Sequence, residues 1–241
     1  MPESTARDHL ALALDVPDAA TAIQLARRLA PFFAVAKIGL ELFVAEGPSV
    51  VRAALDEGLA VFLDLKLHDI PNTVAGAAER AAALGVSLLT VHGQGGPEMV
   101  AAAVEGFASG AAGSRALAEG PRLRSGILAV TVLTSDAVAR PEDLVARTEL
   151  AVRAGCAGIV CAAGDLGLLT EVPGAEDLVV TVPGIRLPGA PRNDQSRVAT
   201  PGAAISAGAD LLVVGRTVTA GPDPERAAAS VHEEVASALA G

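Results

Sequence analysis

Short apolar runs alternate along the chain with longer stretches in which apolar residues recur every three or four positions. Residues 9–15 (His-Leu-Ala-Leu-Ala-Leu-Asp) form the first run, followed by a Val-Pro-Asp turn and a helical pattern over 19–29. The next strand is 34–39, and the helical region after it, 41–57, is broken at Gly47-Pro48. A third strand over 60–66 leads to a helix over 71–84, and a fourth over 86–93 leads to a helix over 97–107. The fifth strand, 126–134, precedes a helix over 141–154. Strands six, seven and eight cover 158–161, 178–181 and 210–215, and a last helix covers 224–239. Residues 108–123 are rich in Ala, Gly and Ser with little periodicity, and read as a surface excursion of the fourth unit rather than a domain boundary.

Eight β-branched or Leu-rich runs separated by helices predict parallel strands buried on both faces. A (β/α)8 barrel closes such a set, and 241 residues is near the roughly 250 typical of one barrel, so a single α/β domain over 1–241 is expected. A doubly wound open sheet would carry Gly-x-Gly-x-x-Gly after its first strand, and none is there. With 51% hydrophobic residues but no Trp and no Tyr, Leu, Val, Ile and Ala must fill the interior. A net charge of −10 and the scarcity of aromatic rings oppose nucleic-acid binding. No apolar run approaches the roughly 20 residues of a membrane span and the first nine residues are polar, so a cytoplasmic protein is expected. Cys156 and Cys161 match neither a zinc nor a redox spacing and read as small core residues without a disulfide.

Charge changes this picture at one stretch above all. In Phe62-Leu63-Asp64-Leu65-Lys66-Leu67-His68-Asp69, an apolar run carries ionised groups that a buried strand tolerates only when they are paired. Alternation puts Asp64 and Lys66 on one face and Leu63, Leu65 and Leu67 on the other. Asp69 joins that network or caps the helix that begins near Pro71. Barrel active sites lie at the C-terminal ends of strands, and other strands also end in chemistry: Asp15, Lys37, His92, Thr134 and Gly215-Arg216. Each has a plain structural alternative. Asp15 could cap the first helix, Lys37 could snorkel to solvent, His92 could satisfy a backbone group and Thr134 could cap the segment after it. Barrels commonly hold phosphate with the loops after strands seven and eight, where Pro183-Gly184-Ile185-Arg186 and Gly215-Arg216 supply close backbone approach and guanidinium groups. The Pro/Gly-rich stretch leading to Asn193-Asp194-Gln195 reads as a loop able to close over a ligand.

In order, Leu14-Asp15, Lys37-Ile38-Gly39, Asp64-Leu65-Lys66-Leu67-His68-Asp69-Ile70-Pro71-Asn72-Thr73, Val91-His92-Gly93, Leu133-Thr134, Gly184-Ile185-Arg186, Asp194-Gln195 and Gly215-Arg216 resemble the orotidine 5′-phosphate decarboxylase family. The resemblance implies decarboxylation of orotidine 5′-phosphate to UMP, the final step of UMP synthesis, without cofactor or metal, in a homodimer with sites at the subunit interface. Lys66 would donate the proton to C6, in an alternating array with Lys37, Asp64 and the partner's Asp69. Asp15 and Lys37 would hold the ribose hydroxyls, with the partner's Thr73 reaching them, and Ile70 would line the substrate site. Thr134 would contact the pyrimidine. Gln195, Gly215 and Arg216 would bind phosphate, with Arg186 in the same loop. Bacterial members usually carry Asp-Asp-Gln where this chain has Asn193-Asp194-Gln195. Two rivals stand beside this reading. One is a Mg2+-dependent phosphosugar barrel with a similar Asp-x-Lys-x-x-Asp, such as a keto-gulonate phosphate decarboxylase or hexulose phosphate synthase. The other is a catalytically silent phosphoribosyl-binding barrel.

Overall fold

Strands that bury both faces cannot show a polar side, and the eight runs show almost none until their last residues. In the computed structural model, which describes residues 5–112, 124–133, 140–189 and 197–241, these runs pair in parallel and in sequence order into one closed barrel. Its strands are β1 (Leu10–Ala13), β2 (Val35–Gly39), β3 (Ala60–Leu67), β4 (Leu88–His92), β5 (Gly126–Val130), β6 (Gly158–Val160), β7 (Val179–Val182) and β8 (Leu211–Val214). Pairing of β1 with both β2 and β8 closes the ring. Parity along the strands separates two apolar layers. Ala11, Val35, Phe62, Leu88, Leu128, Val160, Val179 and Leu211 pack inside the barrel. Leu12, Ala36, Leu63, Leu89, Ile127, Ile159, Val180 and Leu212 face the surrounding helices.

The helices are α1 (Ala19–Leu29), α2 (Leu40–Glu46), α3 (Pro48–Asp56), α4 (Pro71–Ala83), α5 (Gly96–Ala111), α6 (Pro141–Ala154), α7 (Pro201–Ser206), α8 (Arg216–Thr219) and α9 (Pro224–Ala240). Gly47, at φ +62°, divides α2 from α3 where the sequence places the break. The first helix is capped by Asp18, whose carboxylate accepts the Thr21 N–H, so Asp15 is released from the capping role. Several boundaries differ from the sequence expectation. Helix α5 continues through Ala111, so the excursion begins later than residue 108, and 113–123 lie outside the described residues. Strand β5 stops at Val130, and Thr134 also lies outside the described residues. The β6–β7 connection, for which no helix is expected from the sequence, holds 3-10 turns at Ala163–Glu171 and Ala175–Asp177; α7 and α8 are likewise too short for periodicity to reveal.

The abundance of Ala and Gly has its clearest consequence where α4 crosses α5. A Cβ on Gly106 would lie 2.2 Å from the Ala75 carbonyl oxygen, and one on Gly110 would lie 2.1 Å from that of Glu79. The two backbones therefore meet directly, which fixes α4 and with it the chain that leaves β3. Both cysteines are buried and free, and burial pushes their thiols up to about 12, so they stay protonated and inert. Among the described residues no helix is long and apolar enough to cross a membrane.

Candidate active site

The inward parity that fills the barrel with apolar side chains continues to the strand ends, where the same positions become Asp15, Lys37, Asp64, Lys66 and Thr90. Lys37 is only 7% exposed, so it does not reach out to solvent; its Nζ donates to Asp15 Oδ1 at 2.7 Å. The same ammonium lies 4.0 Å from Asp64 Oδ2, and Lys66 Nζ donates to Asp64 Oδ1 at 2.7 Å. The result is a row, Asp15–Lys37–Asp64–Lys66, in which each interior charge has opposite charges on both sides. Such pairing offsets the several kcal/mol that each withdrawn charge costs. Gly39 leaves the space for it, because a Cβ there would stand 3.0 Å from Asp15 Oδ1 and 3.3 Å from Lys37 Nζ.

Asp64 and Lys66 do share a face, but not through a regular strand. The β3–β4 register runs Leu63 to Leu89 and then Leu67 to Val91, so Asp64, Leu65 and Lys66 all stand opposite Thr90. Lys66 adopts φ +50°, the one positive value among the described non-glycine residues, at a cost of about 1–2 kcal/mol. Strain of this kind persists where surrounding contacts hold it, and here the Lys66 N–H is held by Thr90 Oγ1 at 2.9 Å. Leu65 and Leu67 turn outward against the helix-facing core.

Asp69 does not join the row. Its Oδ1 accepts the N–H of Ile70 at 2.6 Å, it is exposed, and it makes no ion pair among the described residues. Nor does it cap α4, whose N-cap is Ile70 with Pro71 next in the first turn. Thr73 is exposed on that same turn, and Ile70 is 65% exposed, as are Leu40 at 53% and Val44 at 79% on α2. His92 lies with its ring 5.6 Å from that of His68. Burial, then the neighbouring His68, Lys66 and Arg147 charges, hold its pKa below the ordinary 6.5. The folded state thus binds fewer protons at His92 than the unfolded chain, and stability should fall as pH drops below about 6.5 until the folded value is passed. Thermal melting of His92→Gln should show a weaker acid-side decline than the parent; identical slopes would contradict this.

The row forms one wall of a cavity of about 430 Å3 at the C-terminal end of the strands. Arg186, Gly184, Gly215 and Arg216 stand along it with Pro183, and Phe62, Val130, Val160 and Val213 make an apolar floor. Four cations and two carboxylates line the space, a positive excess in an acidic protein. Gly184, at φ +81°, turns the chain after β7, and Thr217 Oγ1 donates to Ile185 O at 2.7 Å, tying the loops after β7 and β8 together. Arg186 is buried, with Nη1 donating to Ile185 O. Gln195 lies outside the described residues, but Arg197 just beyond it grips both oxygens of Asp165 at 2.7 Å and the Leu133 carbonyl at 3.2 Å. Thr90, Arg197 and the apolar floor are not among the residues singled out from the sequence. A hydroxyl at an inward position of apolar β4 is the signal that would have found Thr90.

Fold and cavity together define a class: a (β/α)8 barrel with an alternating ammonium–carboxylate row and an anion-attracting mouth. Residues 8–231 match the Orotidine 5'-phosphate decarboxylase / HUMPS family, and the chain belongs to that family. An orotidine 5'-phosphate decarboxylase from Anaeromyxobacter sp. (strain K) is 50% identical over 93% of this chain and 96% of its own length. One from Moorella thermoacetica is 44% identical over 95% and 93%. The crystal structure of orotidine 5'-phosphate decarboxylase from Lactobacillus acidophilus matches with a TM-score of 0.77 at 30% identity, covering 94% of this chain and 98% of that one.

Proposed function

We propose that this chain, one barrel domain over residues 1–241, decarboxylates orotidine 5′-phosphate to UMP without metal or cofactor, as a cytoplasmic homodimer. The observation that carries the reading is the Asp15–Lys37–Asp64–Lys66 row, with Lys66 held in a strained backbone at the cavity wall. When the C6–carboxylate bond breaks, its electron pair stays on C6 in the plane of the ring, where the π system cannot delocalise it. A cation in that plane stabilises the pair, and the Lys66 ammonium is the group with the right charge and reach. The same ammonium gives a proton to C6 as CO2 departs, is left neutral, and regains its proton from water. A preformed row of fixed charges does this without reorganising during the reaction.

The other roles are those that the family resemblance implies. Asp15 and Lys37 hold the ribose hydroxyls, and Thr134 contacts the pyrimidine. Gly215, Arg216, Arg186 and Gln195 take the phosphate, whose binding energy is spent at the remote carboxylate. Asp69, Ile70 and Thr73 act across the dimer: the partner's Asp69 completes the row beside Lys66, and the partner's Thr73 reaches the ribose. The exposed Leu40, Val44 and Ile70 support such an interface, since apolar side chains this open gain from being covered. The test is the loss of orotidine 5′-phosphate absorbance on adding protein treated with EDTA. Turnover equal to that in Mg2+ is expected. No turnover above background would overturn the proposal, and activity only with Mg2+ would favour the phosphosugar rival.

A further inference from the structure

Thr90 is fully buried at the inward position of β4, and both hydrogen bonds of its hydroxyl run to the charged row. Its Oγ1 lies 2.9 Å from the backbone N of Lys66 and 2.9 Å from Asp64 Oδ1. The direction of both bonds is fixed by chemistry. A backbone N–H only donates and a carboxylate only accepts, so the single hydroxyl proton points at Asp64 while the lone pair receives Lys66.

The need for this hydroxyl comes from the bulge. In an unbroken parallel sheet the N–H groups of an inner strand such as β3 alternate between carbonyls of its two neighbours. Three residues of β3 stand opposite Thr90 alone where the register shifts, and at the last of them the Thr90 side chain supplies the acceptor for the Lys66 amide. At its other end the same oxygen fixes the rotation of Asp64. With the Thr90 hydroxyl and Lys66 Nζ both on Oδ1, Oδ2 is left facing Lys37 at 4.0 Å.

We infer that Thr90 is a positioning residue that holds both the left-handed backbone of Lys66 and the carboxylate plane of Asp64, so that Lys66 Nζ meets its reaction partner in line. The inference rests on the reading of Lys66 as the proton donor. It does not touch the phosphate handle, which lies across the cavity on the loops after β7 and β8. Thr90→Val keeps the shape and the strand preference while removing donor and acceptor, and Thr90→Ser keeps both.

The expected result is a split. Thr90→Val should lower kcat by about 10- to 100-fold, the scale of a small misplacement of a reacting group, with KM and UMP affinity within about threefold of the parent. Thr90→Ser should stay within about threefold in all three. Amide hydrogen exchange at Lys66 reads the same bond without substrate, and should be at least about tenfold faster in Thr90→Val but unchanged in Thr90→Ser. Should Thr90→Val not fold, Thr90→Ala carries the same expectations. Unchanged kcat and unchanged exchange in Thr90→Val would overturn the inference, as would equal losses in the Val and Ser variants. A parent protein that does not consume orotidine 5′-phosphate, yet shows the exchange difference, would overturn the reading of the reaction and leave the placement of Lys66 by Thr90 standing.

Discussion

Lys66→Ala is expected to lower kcat for orotidine 5′-phosphate by at least about 10^4-fold while UMP binding stays within about an order of magnitude of the parent. The size follows from what one side chain does. In the proposed mechanism its ammonium is both the charge that stabilises the electron pair at C6 and the source of the proton that quenches it, and both contributions arise in the transition state. Lys37 cannot stand in, because its Nζ is committed to Asp15 at 2.7 Å and Asp64 stands between it and Lys66 in the row. The ground state loses less. Arg186, Arg216 and Gly215, the proposed phosphate ligands, remain along the cavity, so product affinity should survive. The check is single-turnover decarboxylation beside direct UMP titration. A loss below about 100-fold in kcat would mean that another group delivers the proton.

Asp69→Ala should be the second most damaging change, at about 100-fold or more in kcat/KM, and the prediction is sharp because the isolated chain gives no reason for it. Within its own chain Asp69 accepts one N–H from Ile70 at the surface and makes no ion pair among the described residues. Loss of such a contact ordinarily changes little. In the proposed dimer the carboxylate meets the partner's Lys66 and the substrate carboxylate, and its loss has a far larger effect there, because it acts in a low-dielectric site where charge counts more. Steady-state kinetics on a variant that keeps its melting temperature and dimeric state would check it. Activity within threefold of the parent would remove Asp69 from the site.

Much of this arrangement is legible in the residue pattern. Eight apolar runs gave the barrel, and Asp15, Lys37, Asp64 and Lys66 stand together because each ends a strand on the inward parity. What the pattern conceals is local. The bulge that places Asp64, Leu65 and Lys66 opposite Thr90 leaves no mark in β3, whose letters alternate as in a regular strand. Thr90 itself is a common strand residue, and only its inward position on β4 distinguishes it. The capping role open to Asp15 falls to Asp18, three residues nearer the helix, where the Thr21 N–H is within reach. The 3-10 turns after β6 and the single-turn helix α8 are too short for a 3.6-residue period to register. Asp69 is the opposite case: its neighbours in the sequence suggest a local partner, and its surroundings in the chain provide only its own backbone.

Mixing Lys66→Ala with Asp69→Ala chains tests the shared site most directly. Each variant alone should keep at most about 1% of the parental activity, and in the proposed dimer a mixed pair contains one site with both Lys66 and the partner's Asp69 intact. Random exchange of subunits should therefore restore about a quarter of the parental activity. Demonstrated exchange with no recovery would contradict an array completed across the interface.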